Sequence, residues 1–575
     1  MTVSQGGGQN SGFVTGAGTG DGGRTEKVGR DAGRRWVMGC AVLIHTLFAL
    51  CMLAFFLYSA VWTVYFDVYA DTDNPVAGRE HLFPLILMLA AALSILYFLR
   101  FSSFGRKLLL AEGRRKLLRV LLLYTSCVSL YLILALKGTP NSDASAVETA
   151  VLQFLQGDFS ELTKRGTYFD LCPHQLGYAA AEQLLSVIFG TQNHMVYELC
   201  NLVSILLSLW VLVLIAEEIF EDEFAAGITV VLAFGLICLH LYSTYFYGDI
   251  WAMAPEFAAL YLLILYLKRH RYRFLLSSSA CIGMACLFKT NCLIALLAMA
   301  VVLLIGAAEW MMTAQWKNAL AAVFAVLLLF SVKTGMKEML YSGYARAAGV
   351  SAISRGIPAS GYIAMGLQEQ DGIRDGWFNH YNWSVYQEND FDYEAADREA
   401  RENIRATLSA WKERPRHGAR VLLEKSVSMW ADPSCASIHQ FEYTGRHSGG
   451  HPALIVSIIS GRWRGILTSV MNLWQSLLYF GAAFYGFASL KKREAQAVCQ
   501  LLPEVFILGG ICFLTLWEAN SRSVLHYYIM LLPLAAAGIC RFLEVVHGII
   551  KRIFPGRRSD GCLLFLTAGF PRRRK

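Results

Sequence analysis

Residues 274–306 read FLLSSSACIGMACLFKTNCLIALLAMAVVLLIG. Apart from Lys289-Thr290-Asn291 the stretch is largely apolar and uncharged. It reads as two membrane helices, 274–288 and 292–309, meeting at a polar break. A lysine at membrane depth is costly, so such a residue faces a cavity or a partner, unless it snorkels to the interface.

Working outward from this stretch, comparable apolar blocks recur near 36–62, 82–100, 119–136, 195–216, 225–246, 251–267, 318–335, 466–488, 503–518 and 525–543. With the first two they make about twelve spans, at roughly 20 residues of helix per crossing. A helix satisfies its own backbone hydrogen bonds, so each block is expected to be helical. Composition agrees: 55% of the 575 residues are apolar and 16% charged, where a soluble chain would carry about a quarter charged residues. The expected fold class is an α-helical polytopic membrane protein with a small, mostly helical extracytoplasmic domain.

The net charge of +8 does not point to nucleic acid. Basic residues cluster in Arg24–Arg35, Arg106–Arg119, Lys268–Arg273, Lys491–Arg493 and Lys551–Lys575, flanking the apolar blocks. Cytoplasmic loops of membrane proteins carry that excess. Placing the N-terminus in the cytoplasm and alternating puts loops 101–118, 268–273 and 489–496 and the C-terminal tail inside. The acidic loop Glu217–Glu223 also falls inside, where acidic residues count little. Both termini are then cytoplasmic in a multi-pass plasma-membrane protein. Most cysteines lie in apolar blocks and act as small hydrophobes. Only Cys172 and Cys435 fall in outside segments, as one conceivable bridge.

The expected organisation has six parts. A glycine-rich disordered tail (1–35) precedes an additional N-terminal transmembrane hairpin (36–114) and a catalytic transmembrane core (115–335). An extracytoplasmic domain (336–465), C-terminal transmembrane helices (466–545) and a basic tail (546–575) follow. Within the outer segment, Asp392 and the stripe Tyr393, Ala396, Ala400, Ile404, Leu408 and Trp411 predict an amphipathic helix over 392–411, ended by Pro415 and Gly418.

Four clusters fall on the outer face. Pro140-Asn141-Ser142-Asp143 follows a span, with Gly157-Asp158 next and then Tyr168-Phe169-Asp170-Leu171-Cys172-Pro173-His174-Gln175-Leu176-Gly177. Taken alone, Asp143 is an N-cap carboxylate, and the aromatic run is an interfacial belt. Tyr245-Phe246-Tyr247-Gly248-Asp249 makes a turn too short for a domain. Lys289-Thr290-Asn291 is the third cluster, and Glu518-Ala519-Asn520-Ser521-Arg522 with His526-Tyr527-Tyr528 the fourth. Carboxylates Asp143 and Asp249 and cations Lys289 and Arg522 thus share one face. That pairing suits a lipid phosphate whose chain lies among helices while cations hold the phosphate.

The order of these motifs resembles the GT-C superfamily of polyprenyl-phosphate-dependent glycosyltransferases. The nearest branch is that of the protein mannosyltransferases and the lipid A aminoarabinose transferase. The resemblance spans roughly residues 115–543. In the outer segment, Ala364-Met365-Gly366-Leu367, Asp375-Gly376-Trp377-Phe378-Asn379 and Trp430-Ala431-Asp432-Pro433 resemble bacterial members of that group. The family's catalytic loop follows its first span, whereas two spans come earlier here. Asp143 therefore takes the catalytic place if those spans are an addition, and Asp67 or Asp71 if they are not.

The resemblance implies transfer of a sugar from a polyprenyl-phosphate donor to an extracytoplasmic acceptor hydroxyl by inverting displacement. Asp143 would be the base, and Asp158, His174, Gln175, Asp249, Lys289, Asn291, Arg522, His526 and Tyr527 would bind substrate. Partners would be the lipid-linked sugar, membrane lipids, and an acceptor lipid, protein or wall glycan. No cofactor is assigned, although Asp143 and Asp249 leave room for a divalent cation. The competing reading is a polytopic transporter or lipid flippase, which would show paired halves and broken helices near the midplane.

Overall fold

The structure is a computed structural model that describes residues 21–68, 74–446, 448–491 and 497–554, with only the backbone given for 21–30. Residues 1–20 and 555–575 of the two expected tails, and Asp71, lie outside the described residues.

Among the described residues, 9 helices are long and apolar enough to cross a membrane. Shorter apolar helices Glu223–Ala233 and Tyr272–Phe288 stand where spans 225–246 and 274–288 are expected. The span expected at 466–488 is the long arm of a pair, Ala453–Ile459 and Arg462–Ser489, bent by 60°. Each predicted block is thus occupied by helix, and the protein is an α-helical integral membrane protein.

Two expectations change in detail. The first helix runs Asp21–Val61, so the described end of the segment expected to be disordered is helix. A helix already nucleated in the membrane adds one hydrogen bond per residue as it extends. Block 225–246 is not one helix but two, Glu223–Ala233 and Ile237–Tyr242. At the break Trp474 donates its indole N–H to Leu232 O at 2.7 Å, which satisfies a carbonyl at the helix end.

The N-terminal hairpin is woven into the rest. Ser59 meets Ser476 at 3.1 Å, Asn472 donates to Ser59 O, and Phe55 stacks on Trp430 at 4.9 Å. His45 Nδ1 lies 2.8 Å from Glu504 Oε2, both buried. Between the first two spans, Trp62–Tyr65 pairs antiparallel with Val76–Arg79, and Val64 N donates to Ala431 O of the outer segment.

Segment 336–465, expected to be the outer one, is mostly helical, as predicted. Asp392 caps Tyr393–Glu413 by accepting from Ala395 N at 2.7 Å. Ala396 and Ala400 of the predicted stripe are buried, while Leu408 near its end is exposed. Pro415 ends that helix by starting the next, Pro415–Trp430, where a missing N–H costs nothing. The motif residues of this segment tie it to the last membrane helices. Asp432, buried, accepts from Ser434 N, Ala436 N and Ser521 Oγ, and Ala519 N donates to Gly376 O.

At the opposite end of the molecule the basic loops meet the acidic one. Arg114 pairs with Glu217, Lys268 and Arg269 with Glu218, and Arg100 with Asp222 and Glu544. Such exposed pairs add little stability. They do bring loops 101–118, 217–223 and 268–273 and the last helix to one end, as the charge pattern requires.

Candidate functional site

Two glycines explain how distant motifs come together. A Cβ on Gly177 would lie 2.0 Å from Leu287 O, and one on Gly248 2.1 Å from Phe288 O. Both backbones therefore rest directly on the last turn of helix Tyr272–Phe288. Lys289 follows in extended conformation, with a short turn Thr290–Cys292 and then helix Leu293–Met312. The break expected at Lys289-Thr290-Asn291 is present. Because glycine stands at the closest points, His174-Gln175, Tyr247, Asp249 and Lys289 converge at one place.

All of these but Asp249, which is buried behind Lys289, line a cavity of about 1120 Å³. It is lined by Asn141–Ala144, Leu171–Gln175, Tyr245–Tyr247 and Phe288–Asn291, with Glu518 and Arg522 beyond them. Tyr362, Trp383, His439 and Tyr443 of the outer segment complete it. The space is at the upper end of what small-ligand sites use.

Asp143 is not the helix N-cap. Asn141 takes that position for helix Ser142–Leu155, and Asp143 lies in the first turn, where the helix dipole favours a carboxylate. Its Oδ2 accepts from the Tyr247 hydroxyl at 3.2 Å, and Gln175 Nε2 donates to the same hydroxyl. Two cations also lie against the Tyr247 ring, with Lys289 Nζ 4.6 Å and the Arg522 guanidinium 4.8 Å from its centroid. Cations over a ring face are attracted by its quadrupole. Tyr247 thus joins the carboxylate to both positive groups.

Asp249 is 3% exposed and gives Oδ2 to Lys289 Nζ at 3.1 Å. Its carboxylate holds the lysine, so an ammonium already sits on the oxygen that a metal would need. The residues do not fit a metal there. Arg522 donates to the Tyr245 hydroxyl, and Asn291 lines the cavity. His174 opens onto the cavity. Burial within the surrounding protein, with Lys289 and Lys337 next, lowers its pKa to about 4, so it is a neutral hydrogen-bonding group.

Three expected residues lie elsewhere. Asp158 is exposed outside the cavity and accepts from Ser160 N at 2.8 Å; that backbone donor lowers its pKa. Tyr527 is buried against Phe506, with ring centroids 4.8 Å apart, because its turn of helix faces the core. His526 lies behind the cavity wall, between Glu256 and the Asp249 carbonyl. Asp67 is exposed and lines no part of the cavity, and Cys172 and Cys435 are free thiols.

Sequence reasoning placed Tyr247 in a candidate cluster without a role of its own, and missed Glu256. The doubled aromatic Tyr245-x-Tyr247 before Gly248-Asp249 was one signal. A carboxylate after Pro255 in an apolar span was the other, since intramembrane acids are rarely idle.

A family model described as "Conserved hypothetical integral membrane protein" (CHIM_prot) matches residues 37–378, more than half the chain. The chain belongs to this family. The matched region takes in the first two spans and every wall of the cavity up to Phe378. Family membership therefore covers Asp143, Tyr247, Asp249 and Lys289, but not Arg522. No curated protein matches the chain. Two solved structures of ArnT from Cupriavidus metallidurans are similar. The one bound to undecaprenyl phosphate has a TM-score of 0.31 at 14% identity, over 74% of this chain and 77% of that one. The apo state has 0.28 at 13%, over 80% and 77%.

Proposed function

We propose that the protein is a membrane glycosyltransferase that moves a sugar from a polyprenyl-phosphate donor to an acceptor hydroxyl, with inversion at the anomeric carbon. The observation carrying this reading is the single cavity that gathers Asp143, Tyr247, Lys289 and Arg522 at the end of a bundle of apolar helices. The motif resemblance to GT-C enzymes adds to it. In this reading the cavity faces the extracytoplasmic side, because the loops at the opposite end carry the basic residues.

The donor phosphate sits near Lys289 and Arg522. The Tyr247 ring contacts both cations, and Asp249 fixes the lysine. The acceptor hydroxyl attacks the anomeric carbon from the face opposite the phosphate, so the C–O bond forms as the C–O(phosphate) bond breaks. The phosphate departs with the bonding pair. Its developing charge is met by the two cations, the electrostatic contribution that usually dominates such sites. No general acid is needed, unlike glycoside hydrolysis, where the leaving alkoxide must be protonated. The acceptor proton goes to Asp143 Oδ1, the oxygen that Tyr247 leaves free. The acceptor is selected by what the aromatic wall of Tyr362, Trp383 and Tyr443 admits.

The test is turnover of labelled polyprenyl-phosphate sugars by purified variants of matched stability. Asp143→Asn keeps the fold, because the carboxylate caps nothing, and lowers transfer by about a hundredfold or more. Asp67→Asn leaves transfer unchanged. Normal turnover by Asp143→Asn together with loss in Asp67→Asn would place the base on the first outer loop and sink this assignment. If labelled lipid crosses the bilayer with its sugar intact and no sugar leaves it, the protein is a flippase.

A further inference from the structure

Behind the cavity wall, Glu256, Cys292 and His526 bring one ligand atom each to within 4.8 Å of one another. Glu256 and Cys292 are 1% exposed. Each stands on a different element: helix Gly248–Arg269, the turn Thr290–Cys292 and helix Leu525–Ile553. The first also carries Asp249, the second directly follows Lys289, and the third is entered just after Arg522. The triad thus ties together the elements that hold the polar groups of the cavity.

The histidine's hydrogen bonds decide what the triad can do. His526 Nε2 lies 2.9 Å from the Asp249 backbone oxygen, which can only accept, so Nε2 carries a proton. In the neutral ring Nδ1 is then a lone pair, and it faces Glu256 Oε2 at 2.6 Å. Two acceptors cannot approach so closely unless a proton or a cation lies between them. An imidazole whose other nitrogen donates to a backbone carbonyl is also the arrangement that orients metal-binding histidines.

We propose that Glu256, Cys292 and His526 form a zinc site that locks the cavity floor. A thiolate, an imidazole and a carboxylate are the mixed soft and borderline ligands that zinc takes, whereas calcium and magnesium prefer oxygen alone. Charge supports the assignment. Zn²⁺ with a carboxylate, a thiolate and a neutral imidazole sums to zero, the state least penalised in a low-dielectric interior. Binding releases two protons, one from the thiol and one shared by Glu256 and His526, so occupancy falls as pH falls. A tetrahedral shell places its ligand atoms about 3.3 Å apart at a radius of about 2.0 Å. On loading, the Glu256–His526 pair at 2.6 Å therefore opens slightly, and any spacing near the 4.8 Å limit closes. The metal acts on the cavity through position, because His526 holds the Asp249 backbone.

The site is tested without reference to the reaction. Full-length protein without a metal-affinity tag is purified in detergent from cells grown with added zinc, and its metal is measured by mass spectrometry. The expected content is about one zinc per chain, lost on acidification. Cys292→Ser and Glu256→Gln each weaken binding by more than about 100-fold, since losing an outer-shell partner alone costs about 10–100-fold, while Cys286→Ser, outside the triad, keeps the metal. Cobalt(II) added to metal-free protein gives a thiolate charge-transfer band that Cys292→Ser lacks, and a chelator lowers the melting temperature of wild-type protein only. Absence of stoichiometric metal from wild-type protein overturns the site, as does equal metal in Cys292→Ser. The triad is then a proton-sharing His526–Glu256 pair beside a thiol.

Discussion

Tyr247 makes contacts that two substitutions can separate. Tyr247→Phe removes the hydroxyl that donates to Asp143 and accepts from Gln175, and leaves the ring in contact with Lys289 and Arg522. Losing one hydrogen bond that orients a base is worth about 1.4 kcal/mol, a tenfold drop in kcat, with the donor KM little changed. Tyr247→Ala also removes the ring, so the two cations lose their shared aromatic contact and KM for the lipid donor rises as well. Steady-state kinetics on matched preparations read the split; equal effects of both variants on KM would show that the hydroxyl, too, serves binding. Asp143, Lys289 and Arg522 were legible in the sequence because each is a charge at the edge of an apolar block, where charge has a cost that must be recovered. Tyr247 was not, since an aromatic residue at a membrane boundary has a sufficient reason to be there without any site.

At the scale of elements, one buried lysine ends two helices. Lys425, 0% exposed, donates to Gly366 O at 2.6 Å, Thr515 O at 3.0 Å and Trp517 O at 2.6 Å. These carbonyls terminate helices Ala359–Gly366 and Leu502–Leu516, where backbone oxygens have no partner within their helix and the dipole favours a cation. Burial pulls the lysine's pKa down to about 7, and Glu518 works against that shift. Lys425→Met keeps the stem and leaves the carbonyls bare, so it should destabilise by about 3 kcal/mol. Lys268→Met, in an exposed pair at the opposite end, should cost close to nothing. Thermal unfolding in one detergent compares them, and similar midpoints would mean that water replaces the ammonium. Helix Tyr393–Glu413 and the break at Lys289 could be read in advance, each from a cap or a charge local to it. The split within block 225–246 could not, because Trp474, which stabilises it, arrives from far along the chain.

For the whole molecule, sidedness is the expectation on which the proposed chemistry depends. Glu388 of the outer segment and Arg106 of the basic loop are both exposed, at the cavity end and the ion-paired end respectively. In intact cells an impermeant thiol reagent should label Glu388→Cys and spare Arg106→Cys until the membrane is opened; the reverse pattern would put the cavity in the cytoplasm. The number and place of the spans were readable because hydrocarbon thickness sets a length on every one of them. The weaving of the first helix against Arg462–Ser489 was invisible, since lipid-facing and helix-facing residues are equally apolar. The contacts of Gly177 and Gly248 with one helix end have an evolutionary consequence. The two positions form a single epistatic unit, although they belong to different loops. Gly177→Ala pushes the end of Tyr272–Phe288 outward, and once it has moved, Gly248→Ala meets less resistance. The double variant should therefore lose less stability than the two single losses combined, and lineages that abandon one of these glycines should tolerate abandoning the other.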